Sequence, residues 1–204
     1  MSSLPRPVLV PVPVPAIGRG ALFFVVGSSG VGKSSLLAWV RSHLPADADT
    51  VFARRTITRG ATPGESHESI ERHRFVETSA AGDFSLEWEA NGLWYGVREK
   101  IEVDLHAGRN VIVDGSREYV PTLLQRFPQA QVVWITAPDD TVRGRLESRR
   151  REAGAALLRR LERARQFPQL EGPAILAIDN RGPIDVAGAA LLALITRGHR
   201  PASG

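Results

Sequence analysis

The chain has 204 residues, 43% of them hydrophobic, carries a formal net charge of +4 and contains no cysteine. That size and apolar share suffice for one α/β domain with a substantial core. No apolar run approaches the roughly 20 residues that span a bilayer, and disulfides and thiolate metal sites are excluded. Positive charge raises nucleic acid as a partner, but the arginines cluster without interleaved aromatics for bases to stack on. Neither nucleic acid nor membrane is therefore an expected partner.

Residues 1–19 read as a flexible tail, because the Val-Pro repeats between Val8 and Pro15 break any helix and deny the continuous apolar stretch of a secretory signal. A strand over 21–26 feeds Gly27-Ser28-Ser29-Gly30-Val31-Gly32-Lys33-Ser34, a complete GxxxxGK[ST] phosphate-binding loop, and a helix over 33–44 follows, ended by Pro45. Loop amides and the positive end of that helix suit phosphates. Gly27 through Ser35 are the expected nucleotide contacts, with Lys33 reaching the β and γ phosphates and Ser34 holding Mg²⁺. Lysine occurs only at Lys33 and Lys100, against twenty-four arginines, so its presence at the motif's lysine argues against a chance match.

Segment 51–58 reads as one strand, followed by a polar loop to about residue 70. Strands over 84–88 and 93–97 flank an Asn91-Gly92 hairpin signal, and a helix over 98–107 ends at Gly108. A strand over 110–114 ends in Asp114, an acid at the carboxyl end of a buried strand, where open α/β sheets bind ligands. It suits a Mg²⁺ ion directly or through water, although Asp114-Gly115 also reads as an ordinary turn. A strand over 131–136, helices over 138–148 and 153–166, a strand over 174–178 and a helix over 184–196 complete the chain. Such alternation predicts a parallel sheet covered on both faces. Arginines gathered at 54–59 and 143–165 look like clamps on small phosphorylated ligands.

The order of phosphate loop, Thr58-Arg59 with a Gly64-Glu65 turn, Gly82-x-Phe84, Trp88, Gly92-x-x-Tyr95-Gly96 and a late arginine-rich lid resembles the guanylate kinase-like family, over residues 21 to about 196. Gly64-Glu65-Ser66-His67-Glu68, the run from Phe84 to Gly96, and Gly115-Ser116-Arg117 are most similar to the family's ribose 1,5-bisphosphate phosphokinase branch. Asp114 stands where that branch usually has Asn, and Arg149-Arg150-Arg151-Glu152 where its lid reads Arg-Gly-Arg-Glu. The resemblance implies a P-loop NTPase fold of three α/β/α layers around a parallel central sheet. It implies a single domain over 20–198, with an acceptor-binding part at about 54–97, a lid at about 143–160 and a tail at 199–204. ATP, Mg²⁺, a sugar phosphate acceptor and a cytoplasmic location follow from it, and a homodimer is left open.

Guanylate kinases accept from guanine's N1–H and N2–H with a glutamate and an aspartate; the aligned positions here are Leu86 and Ser116. Their first acceptor-phosphate arginine is kept as Arg59, the second falls at Thr62, and a tyrosine falls at His73. The expected acceptor contacts are Arg55, Arg59, His67, Tyr95, Asp114, Ser116 and Arg117, with Arg54, Arg72 and His73 as further cationic or hydrogen-bonding groups. Lys33, Arg145, Arg149 and Arg160 are the expected catalytic groups. Asn180 falls where the family lines its adenine pocket, although Asp179-Asn180-Arg181-Gly182 reads equally well as a turn. The implied reaction is ATP-dependent phosphorylation of ribose 1,5-bisphosphate to 5-phosphoribosyl 1-diphosphate. A nucleoside monophosphate kinase and a non-catalytic guanylate kinase-like binding module stand as alternatives.

Overall fold

Strand β1 (Leu22–Gly27) is apolar at every position before its final glycine, and its residues divide between two cores. A strand with no polar face must be covered on both sides, and this one lies in the middle of a parallel sheet. The computed structural model describes residues 20–60, 67–98, 100–148 and 172–197. Its first sheet has the order β2-β7-β1-β8-β9, formed by β2 (Thr50–Phe52), β7 (Asn110–Asp114), β1, β8 (Gln131–Thr136) and β9 (Ile175–Asp179), all parallel. Its second has the order β4-β3-β6-β5, from β4 (Glu68–Ser69), β3 (Arg55–Ile57), β6 (Leu93–Val97) and β5 (Leu86–Ala90).

Phe23, Val25, Ile112, Val133 and Ile135 pack against helix α1 (Lys33–His43) and the late helix Ile184–Arg197 through Leu36, Val40, Leu191 and Ile195. On the opposite face, Phe24, Val26, Val111, Val113 and Val132 meet Leu86, Trp88 and Val97 of the second sheet. They also meet Leu105 of α3 (Ile101–His106) and Leu123 of α4 (Val120–Arg126). The parallel sheet is thus clad on one side by helices and on the other by helices together with the second sheet. In chain order α2 (Arg72–Ala80) precedes α3, and α5 (Asp139–Ser148) precedes the late helix, here α6. No helix among the described residues is long and apolar enough to cross a membrane.

Three sequence expectations are corrected. Segment 51–58 is two strands in different sheets: β2 pairs in parallel with β7, and β3 pairs antiparallel with β6. The Ala53 amide still bonds the Ile112 carbonyl at 2.9 Å, whereas the Thr58 amide bonds the Trp94 carbonyl at 3.0 Å. Strand propensity is blind to such a change of partner. The polar stretch before residue 70 holds β4, and α2, η1 (Arg117–Tyr119) and α4 were not expected. Helix α2 buries only Phe75 on its inner face, too thin an apolar stripe to stand out. The helix expected over 98–107 begins at Ile101, and the one expected over 153–166 lies outside the described residues.

Candidate active site

The phosphate loop is held by what lies beneath it. Gly32 has φ of +100°, and a Cβ there would meet Asn180 Nδ2 at 2.5 Å, so only glycine fits both the backbone and the neighbour. That Asn180 amide donates to the Val31 carbonyl at 2.8 Å, and Arg145 Nη1 donates to the same oxygen at 3.0 Å. Asn180 is 4% exposed and its Oδ1 is buried without a hydrogen-bond partner among the described residues. The first helical bond runs from the Leu36 amide to the Gly32 carbonyl, at 3.0 Å, and the Val31 amide bonds the Ser28 carbonyl at 3.3 Å, so the amides from Gly32 to Ser35 are left for a ligand.

A cleft of about 900 Å³ opens above the loop. Its wall carries Gly27, Ser28, Ser29, Gly30, Gly32, Lys33 and Ser34 on the loop side, and Arg55, Arg59, His67 and Tyr95 from the second sheet and its flanks. Asp114, Ser116 and Arg117 follow the end of β7 on the same wall. At the centre, Asp114 Oδ1 is 2.7 Å from Lys33 Nζ and Oδ2 is 2.6 Å from Arg55 Nη2. Burial pushes the Asp114 carboxyl up, but the Lys33 ammonium and Arg55 guanidinium outweigh it and hold it below the ordinary carboxylate value. One carboxylate therefore ties the phosphate loop to the second sheet. Burial raises the Tyr95 phenol against the opposing pull of Arg55 and Arg59, so it stays a neutral hydroxyl.

Several expected residues sit elsewhere. Val31 is buried and Ser35 is exposed away from the cleft wall, while Arg145 and Asn180 brace the loop from behind rather than lining the cleft. Leu86 is fully buried in the core, so its side chain faces no ligand whatever its alignment implies. His73 pairs with Glu71 at 3.2 Å, and Arg72 lies over the Trp94 ring, 4.9 Å from its centroid; neither lines the cleft, nor does Arg54. Thr62, Arg149 and Arg160 lie outside the described residues. Arg41, Asn91 and Glu118 line the cleft and were missed. Asn91 carried the one available signal: it takes φ of +54° in the hairpin that its sequence announced, but only the folded second sheet brings that turn to the cleft.

Among the described residues no three His, Asp or Glu side chains gather to hold a metal. The exposed Ser34 hydroxyl and the Asp114 carboxylate fit a hard cation that takes its remaining ligands from phosphate and water, as Mg²⁺ commonly does.

No protein-family model matches the chain. It is 49% identical over 176 residues to a protein of Janthinobacterium sp. (strain Marseille) named ribose 1,5-bisphosphate phosphokinase PhnN, with 86% of the chain and 39% of that relative covered. The chain thus spans well under half the length of that relative. A protein of the same name from Burkholderia pseudomallei is 41% identical over 174 residues, covering 85% of the chain and 94% of the relative. A solved guanylate kinase from Anaplasma phagocytophilum superposes with a TM-score of 0.64 at 15% identity, covering 92% of the chain and 89% of its own, a likeness of fold.

Proposed function

The chain belongs to the ribose 1,5-bisphosphate phosphokinase family, and from that premise we propose that it transfers the γ-phosphoryl group of ATP to the 1-phosphate of ribose 1,5-bisphosphate, giving 5-phosphoribosyl 1-diphosphate and ADP. The observation that carries this reading is one cleft shared by a phosphate loop and by Arg55, Arg59, His67 and Arg117. A bisphosphate brings about four negative charges to such a site, and guanidinium forks neutralise and orient phosphates well. In this reading residues from about 54 to 97, which contain the second sheet, form the acceptor-binding part, residues from about 143 to 160 form a lid, and the enzyme works in the cytoplasm.

In the reaction a 1-phosphate oxygen attacks the γ-phosphorus, a new P–O bond forms, the bond to the β,γ-bridging oxygen breaks and ADP leaves. The attacking oxygen is already ionised near neutral pH, so no side chain has to remove a proton. Positioning and charge stabilisation are what this chain must supply. The loop amides and Lys33 hold the β and γ phosphates, and Arg55, Arg59, His67 and Arg117 hold the acceptor with Tyr95 and Ser116 as neutral hydroxyls. Lys33 and Arg55 must exchange Asp114 for phosphate oxygens as the substrates arrive. Arg145, Arg149 and Arg160 are the arginines assigned to the transferred group, Arg145 after leaving the Val31 carbonyl. Asn180 supports the nucleotide through the loop. Ser34, with Asp114 once it is released, would hold Mg²⁺, which when bound neutralises charge on the β and γ phosphates.

The test compares ADP formation by the wild type with ribose 1,5-bisphosphate and with a panel of nucleoside monophosphates at equal concentration. Faster turnover of GMP, or of any other nucleoside monophosphate, would overturn the assignment; binding without turnover of any acceptor would favour a non-catalytic module.

A further inference from the structure

Ser116 meets the cleft with one side of its hydroxyl already engaged. The Trp88 indole Nε1–H donates to Ser116 Oγ at 2.9 Å, across from β5 in the second sheet to the residue two beyond the end of β7. Trp88 is 7% exposed and does not line the cleft itself. Its ring stacks on Tyr95 (centroids 5.4 Å, planes 5° apart) and on Tyr119 (5.4 Å, 26°), and meets Phe24 edge to face (6.0 Å, 75°). Rings on three sides leave the indole N–H one direction. Next to Ser116, Gly115 lies so close to Phe24 that a Cβ there would clash with the ring, so the backbone leading into Ser116 is packed against the same aromatic group.

A serine hydroxyl has one proton to give and two lone pairs to fill. Here Trp88 fills one lone pair, and no acceptor among the described residues takes the hydroxyl proton. Donation into an oxygen also polarises its own O–H and makes it a stronger donor. The group presented to the cleft is therefore biased towards giving a hydrogen bond. Phosphate and sugar oxygens accept such a bond, whereas the N1–H and N2–H of guanine would both need an acceptor.

We propose that Trp88 is a positioning residue that sets the Ser116 hydroxyl as a hydrogen-bond donor to an oxygen of the phosphorylated sugar. This rests on the acceptor identified under Proposed function.

Trp88→Phe keeps an aromatic ring in the stack and removes only the N–H. With ribose 1,5-bisphosphate its acceptor KM should rise about tenfold, the scale of one hydrogen bond to a charged group, while kcat and the KM for ATP change less than about twofold. Ser116→Ala should raise the acceptor KM at least as far, and the double variant no further than Ser116→Ala alone, since the two residues act as one unit. Thermal midpoints measured alongside separate this from general loosening, which would move kcat and the KM for ATP too. An unchanged acceptor KM in folded Trp88→Phe, or additive effects in the double variant, would overturn the proposal. If Trp88→Phe does not fold, Trp88→Tyr, which also keeps a ring in the stack without the indole N–H, takes its place: an unchanged acceptor KM sinks the idea and a rise confined to the acceptor KM supports it. A wild type that ignores ribose 1,5-bisphosphate removes the functional assignment and this proposal together, whereas an active wild type with an indifferent Trp88→Phe removes this proposal alone.

Discussion

Asp114→Asn is the substitution most exposed to refutation, because it removes one charge and almost no volume. The Asp114 side chain is 13% exposed, and its partners Lys33 and Arg55 are 17% and 25% exposed. Breaking a fully buried pair costs roughly 3 to 5 kcal/mol. Partial solvation of both cations and the amide's remaining acceptor oxygen reduce this to about 2 kcal/mol. In a chain of this size that lowers the thermal midpoint by about 4 to 8 °C. A polyphosphate then meets two cations with no carboxylate to displace, so saturating ATP without Mg²⁺ should raise the variant's midpoint by several degrees more than the wild type's. Scanning calorimetry with and without ATP measures both quantities. Equal midpoints without ligand, or equal gains with it, would show that Asp114 does not hold these cations in solution. The acid limb carries a sign of its own. Lys33 and Arg55 outweigh burial and depress the folded carboxyl, so its contribution is full above the unfolded value of about 3.9 and is lost as pH falls through the lower folded value. The gap between wild type and variant should therefore stay flat from about pH 5 to 8 and close below about pH 4.

Lys33→Ala should lose on the order of 100-fold or more in turnover while the fold survives, its midpoint lowered because Asp114 keeps only Arg55 as a partner, and near-native steady-state rates would take Lys33 out of the mechanism. Arg59→Ala should raise the acceptor KM far more than the KM for ATP; matched losses in initial-rate analysis would contradict its assignment to the acceptor side. Asn180→Ala strips one of two donors from the Val31 carbonyl and should weaken ATP, read by equilibrium titration, with a stability loss of about 1 to 3 kcal/mol. Unaltered ATP affinity would mean that the loop keeps its shape without that brace.

The phosphate loop was legible because its signal is local: glycines, lysine and serine at fixed spacing between an apolar strand and a helix. Strands β6, β7 and β8 were legible to the residue for a related reason, since apolar runs closed by Arg98, by Asp114 and by Thr136-Ala137-Pro138 leave few registers open. What could not be read is whatever depends on which element turns towards which. Leu86 aligned with a base-reading acid, yet strand alternation points it into the core beside Val97. The Asn180 amide donates to the Val31 carbonyl beside Gly32, a contact that nothing in Asp179-Asn180-Arg181 announces. The partnership of Lys33, Asp114 and Arg55 spans three separate elements, and no spacing rule announces it.

The two residues between β2 and β3 have a mechanical consequence. The chain enters the second sheet through Ala53 and Arg54 and leaves it after Val97, and Arg55 and Val97 are paired partners across β3 and β6. Entrance and exit are therefore neighbours, like two pins of a door hinge set side by side. The Arg55 to Asp114 ion pair fastens that shared doorway itself, and the Trp88 to Ser116 hydrogen bond adds a second tie from β5. Both ties end on Asp114 or Ser116, at the end of β7 or two residues past it, so one strand end anchors the second sheet and lines the cleft.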